Sequence, residues 1–194
     1  MKNKHIIKRL CVMTGIGLFV AAALTMLLWQ WQIRSSAQEA QGYVQTLQSL
    51  IPTIRGAVPE ERSDNTMPVL SVENTDFVGI LEMPRYGVSL PVCADGGRIS
   101  RYPCHLSGSV YNKTMQIGGT SQQGQFDFYR EISVGDTLYF TDMEGNRFAY
   151  RVADVRYEDH ADQSGLQRRE AALKLIIKNV YSFEYIIIFC DTMR

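Results

Sequence analysis

Residues 10–29 hold only two polar side chains, Thr14 and Thr25, and as a helix this stretch spans about 30 Å, the thickness of a bilayer's hydrocarbon core. A run of that length and apolarity has no place on the surface of a water-soluble fold, so it predicts a transmembrane helix. Lys2, Lys4, Lys8 and Arg9 flank its near end and mark that side as cytoplasmic, while Trp29 and Trp31 sit at the far end, where indoles favour the interface. The expected arrangement is a single pass in the cell membrane, with a cytoplasmic N-terminus and an extracellular C-terminal part. The competing reading is a cleaved signal peptide, because Ser35, Ser36 and Ala37 have cleavage-site character. The length of the apolar run and the charge of Arg34 favour retention.

The net charge of zero, 20 basic against 20 acidic groups, hides an asymmetry. Residues 1–34 carry five basic groups and no acid, which leaves 15 basic and 20 acidic groups, or −5, for residues 35–194. An acidic outer part excludes a basic nucleic-acid binder, and ten tyrosines and eight phenylalanines argue against disorder. Cys11 falls in the membrane, leaving Cys93, Cys104 and Cys190 outside. At most one internal disulfide can form among these three, and the pairing stays open. There is no CxxC or HxxxH spacing, and His5, His105 and His160 are scattered, so neither a metal nor a cofactor is expected.

After the anchor, Val44, Leu47, Leu50, Ile51 and Ile54 recur at helical spacing and Pro52 should end the helix, which reads as a stalk. Residues 55–75 mix Gly, Pro and charge without a period. The expected organisation is therefore 1–34 tip and anchor, 35–75 stalk helix and linker, and 76–194 extracellular barrel. Strand signals cover 77–83, 89–93, 115–118, 137–141, 147–157, 172–177 and 185–190. Seven or eight short strands suggest a closed barrel or a sandwich. A short helical turn is expected over 125–132, and a charged loop or short helix containing His160 over 158–170. Gly145 supplies the positive φ for a tight hairpin at 141–146. A calcium loop there lacks its bidentate acid, since Ala153 stands in that place.

Read together, FVGILEMPRYGVSLPVC (77–93), PCHLSGSVYN (103–112), MQIGG (115–119) and VGDTLYFTDMEGNRFAYRV (134–152), followed by a final pair of strands, resemble a sortase of class B or D type. The resemblance covers about residues 77–190. It implies a mainly β, closed barrel of seven to eight strands with short helices, following a membrane anchor and a stalk. It also implies a place on the surface of a Gram-positive cell and a groove for an extended sorting peptide. Sortases are cysteine transpeptidases that use a His, a Cys and an Arg for proton transfer, nucleophilic attack and oxyanion stabilisation. On this alignment Thr120 stands for the His, Lys178 for the Cys and Tyr185 for the Arg, so no catalytic residue is expected.

Other residues offer little replacement. Attack by the Lys178 amine would need a depressed pKa and an acid or base, and pairing with Glu184 is the simpler expectation. Cys93, Cys104 and Cys190 read as buried or paired. His105 points away from Cys104 if the stretch is extended, and His160 reads as a loop residue near the groove. Groove candidates are Thr120, Gln125, Phe126, His160, Lys178, Tyr181, Glu184 and Tyr185, although core packing of a short helix under the barrel is the favoured reading of 124–129. The expected function is that of a degenerate sortase that binds a sorting signal or pilin-type peptide, or assists an active sortase or pilin in surface-protein assembly. The alternatives are an active cysteine transpeptidase with a displaced constellation, attaching proteins to the cell wall, and a purely structural spacer.

Overall fold

The computed structural model describes residues 2–52, 65–159 and 170–193, with side chains of the first helix described at 13–28, 30–31 and from 38 onward. The stretches expected to be an anchor and a stalk form one continuous element, α1 (Lys2–Leu50), of 49 residues. It stops two residues before Pro52, whose ring cannot continue the helix. Met13, Leu18, Phe19, Leu28 and Trp31 of α1 stand exposed. Among the described residues no helix is long and apolar enough to cross a membrane. The side chains of residues 10–12 and 29, which complete the apolar run, lie outside them.

Nine strands follow: β1 (Leu70–Val72), β2 (Thr75–Met83), β3 (Val88–Cys93), β4 (Cys104–Ser107), β5 (Met115–Thr120), β6 (Thr137–Asp142), β7 (Arg147–Asp159), β8 (Leu173–Lys178) and β9 (Glu184–Thr192). They hydrogen-bond in the order β1-β2-β3-β4-β5-β8-β9-β7-β6, and β6 returns to β2, which closes an eight-stranded barrel with β1 outside the ring. A barrel therefore replaces the sandwich alternative. β1 pairs with Thr75, Asp76 and Phe77 of β2, and β6 with residues 79–82, so the two share one edge of β2 in succession. Most pairs are antiparallel. The exceptions are β5 with β8 and a single parallel bridge between β3 and β4.

The sheet has two cores because its wall is buried on both faces. Leu81, Ile117, Phe140, Tyr150, Leu175 and Ile188 fill the interior. Outside the wall, Ala40, Tyr43, Val44 and Leu47 of α1 pack on Phe77, Ile80, Cys93, Tyr102, Cys104 and Met143. The helical period seen at 44, 47 and 51 is thus the stripe that seats α1 on the barrel. Two-sided burial also explains why β2 is buried at nearly every position instead of alternating.

The β6–β7 hairpin turns at Gly145, with φ +85°. The Asp142 carboxylate accepts from the backbone N–H groups of Glu144 and Asn146, from the Asn146 amide and from the Tyr111 hydroxyl. Its lone pairs are thus committed to the turn and to Tyr111 of the β4–β5 connection. Over 125–132 the chain makes successive turns and a single 3-10 turn at Tyr129–Glu131. Strands β1 and β4 carry no clear alternation of their own and are held by their neighbours.

Candidate functional site

Three strand ends meet at one end of the barrel. The parallel register of β5 and β8 sets Thr120 beside Lys178, and the antiparallel register of β8 and β9 sets Lys178 beside Tyr185. Direct cross-strand partners have Cβ atoms about 5 Å apart and share a face. Because Ile117, Leu175, Ile177, Ile186 and Ile188 point into the barrel, the alternation puts Thr120, Lys178 and Tyr185 together on its outer face. The three residues that the sequence resemblance set against a catalytic His, Cys and Arg therefore form one row across three strands.

Beneath the row, Gly118 and Gly119 let neighbours close in from both sides. A Cβ on Gly118 would meet the tips of Leu106 and Ile99 at 2.8 and 2.9 Å, and a Cβ on Gly119 would lie 2.4 Å from the Phe126 ring. Gln125, itself buried, spans the gap: its Oε1 accepts from the Thr120 N–H at 3.0 Å and its Nε2 donates to the Ile99 carbonyl at 3.1 Å. The Phe126 N–H returns to the Thr120 carbonyl. Gln125 and Phe126 thus lie under the surface, with Phe126 in the barrel core.

A second network shapes the loop between β8 and β9. The Ser121 N–H donates to the Lys178 carbonyl and the Asn179 N–H to the Glu184 carbonyl. Asn179 Oδ1 accepts from Ser121 Oγ and from the Tyr181 N–H, its Nδ2 donates to the Tyr129 hydroxyl, and Ser121 Oγ accepts from the Val180 N–H. Ser121, Asn179, Ile99 and Tyr129 were not among the sequence candidates. Their role comes from register and carries no local signal. The loop they hold borders an open cleft of about 410 Å³ lined by Lys178 to Tyr185 in sequence. Tyr181 and Phe183 on its rim are 74% and 83% exposed. His160 lies outside the described residues.

The side chains of this row differ in exposure and in partners. Lys178 is exposed, and among the described residues no ion pair joins it to Glu184, whose carboxylate accepts from Ser182 Oγ. The Thr120 hydroxyl is buried and has no hydrogen-bond partner. The thiols lie elsewhere. Cys190 faces the barrel interior, and burial, with Asp191 nearby, pushes its thiol pKa far up. Cys93 and Cys104 are fully buried beneath α1. The His105 ring is tied to the Gly108 carbonyl at 2.8 Å. Beside the cleft the row thus presents Lys178 and Tyr185, with the exposed rings of Tyr181 and Phe183 on the rim.

No family model matches the chain, and no curated protein does. Solved structures do. Sortase A from Corynebacterium diphtheriae aligns over 84% of this chain and 84% of its own, at 15% identity and a TM-score of 0.52. Sortase C1 from Streptococcus agalactiae aligns over 64% of this chain and 71% of its own, at 15% identity and TM-score 0.52. Sortase A from Listeria monocytogenes covers 61% and 88%, at 17% identity and TM-score 0.50. The order of strands, the closure through β2 and β6 and these likenesses agree: the chain has the sortase-like β-barrel fold.

Proposed function

We propose that this protein is a membrane-anchored, extracellular barrel that binds an extended peptide, such as a surface-protein sorting signal or a pilin tail, without performing transpeptidation. The observation that carries the reading is the row of Thr120, Lys178 and Tyr185, which occupies adjacent strand ends beside an open cleft while all three barrel cysteines are buried elsewhere. Fold alone does not confer activity, and a groove between strand ends holds an extended chain through backbone hydrogen bonds and side-chain pockets without a nucleophile. Lys178 supplies a cation for a peptide carboxylate or carbonyl, and Tyr181 and Phe183 supply apolar contact. Such a protein would act beside an active sortase or a pilin during surface assembly. Support for the anchor comes from the exposed apolar side chains of α1, which a lipid environment would cover, and from the basic residues that precede them.

The test uses the full chain in detergent micelles, mixed with LPxTG-type peptides with and without an amine acceptor and followed by mass spectrometry. Intact peptide retained on unmodified protein is the expected result. Cleaved peptide or an acyl adduct would instead establish an active transpeptidase with a displaced constellation, and the adduct would identify its nucleophile.

A further inference from the structure

Cys93 ends β3 and Cys104 opens β4, and they are the one pair of residues in register across the parallel bridge between these strands. Neighbouring strands lie about 4.8 Å apart and partners share a face, which is within the Cα separation that a disulfide spans. Both thiols are fully buried in the outer core under Tyr43, Val44 and Leu47, and the Cys93 N–H donates to the Pro103 carbonyl, so the backbone already holds the two ends together. Cys190 faces the barrel interior, on the other side of the wall. Among the barrel's three cysteines the geometry selects a single pair.

We infer that Cys93 and Cys104 form a redox-dependent staple that closes the segment between β3 and β4 and, through it, stiffens the floor of the candidate site. That segment carries Ile99, whose carbonyl accepts from Gln125, and Gln125 in turn accepts from the Thr120 N–H. Cross-linking its ends removes freedom at the base of this chain of contacts. Hydrogen bonding with Cys104 holds the Cys93 thiol below the usual thiol range, which favours Cys93 as the attacking thiolate.

The oxidant is a disulfide, either of a small molecule such as glutathione disulfide or of a protein. The Cys93 thiolate attacks one of its sulfurs and expels a thiolate. Cys104, as thiolate, then attacks the mixed disulfide at the Cys93 sulfur and expels the second. Two protein thiols are oxidised, one external disulfide is reduced to two thiols, and the protein loses two hydrogen atoms. Burial under α1 makes the exchange a folding or helix-opening event.

The full chain in micelles is treated with glutathione disulfide both after folding and during refolding, with dithiothreitol as the reduced control. It is then unfolded, alkylated, digested and mapped by mass spectrometry. The expected result is a Cys93–Cys104 cross-link in at least the refolding arm, with Cys190 alkylated, and a melting midpoint about 5 °C above that of the reduced protein. The link should persist in Cys190→Ser and the thermal shift should vanish in Cys93→Ala. Slower amide exchange over 115–126 than in the reduced form is the expected signature at the site. Free Cys93 and Cys104 in both arms, a link that includes Cys190, or unchanged exchange over 115–126 would overturn the inference.

Discussion

Thr120 shows how one side chain reports on a site. Its hydroxyl is buried with no partner, a condition that costs about 1–3 kcal/mol. Replacing it with the near-isosteric Val should therefore raise the unfolding free energy by about 1 kcal/mol in denaturant titrations. A loss of stability would mean that the hydroxyl has a partner after all. The paired glycines behind it should respond unequally. A methyl on Gly119 meets the buried Phe126 ring at 2.4 Å, whereas a methyl on Gly118 meets only the flexible tips of Leu106 and Ile99. Gly119→Ala is expected to cost about 1–3 kcal/mol and Gly118→Ala clearly less, as overpacking against a rigid ring exceeds displacement of a mobile tip. Equal penalties in thermal melts would contradict this.

At the scale of elements, the seat of α1 and the corner near β6 make separate predictions. Leu47 is completely buried between α1 and the barrel wall, so Leu47→Ala should cost about 2–4 kcal/mol, read as earlier loss of helical signal on heating. Unchanged melting would mean that α1 does not rest on the barrel. At the other corner, burial raises the Asp136 carboxyl pKa, but hydrogen bonds from Tyr86, the Ser133 N–H and Arg85 outweigh it and leave the pKa below the usual value. Burial, with the hydrogen bond to Asp136, pushes the Tyr86 phenol up to about 12. A depressed carboxylate contributes stability that is fully present above its unfolded pKa of about 3.9 and is lost as pH falls through the folded value. The gap in melting temperature between the native chain and Asp136→Asn should thus be full near neutrality and close below about pH 4. A gap that persists at acid pH would show that Asp136 acts only through packing.

For the whole molecule, α1 carries exposed apolar side chains between Met13 and Trp31 and a seated stripe from Ala40 to Leu47. The proposed anchor predicts that the full chain stays with membranes through alkaline extraction, while a chain starting at residue 35 is recovered in the aqueous phase. Recovery of the full chain in the aqueous phase would end the anchor proposal. Docking of the helix through Ala40, Tyr43, Val44 and Leu47 would also hold the barrel, and with it the cleft, at a short distance from the lipid surface.

The amino-acid sequence by itself determined the mainly β class, the long strands, the hairpin at Gly145 and the helical stripe through Val44 and Leu47. Each of these is written in a local period or a turn residue. The resemblance singled out Thr120 and Lys178 by the segments they sit in and Tyr185 by its spacing from Lys178. Only the tertiary structure decided that α1 is one unbroken helix, that β1 and β4 exist, that the sheet closes through β2 and β6, and that those three residues share a row. The braces Gln125 and Asn179, and the choice of Cys93 with Cys104, belong to the same class. The physical reason is common to all of them: short strands, registers and parallel pairings depend on partners far away in sequence, and a chain carries no local mark for a contact that its own neighbours do not make.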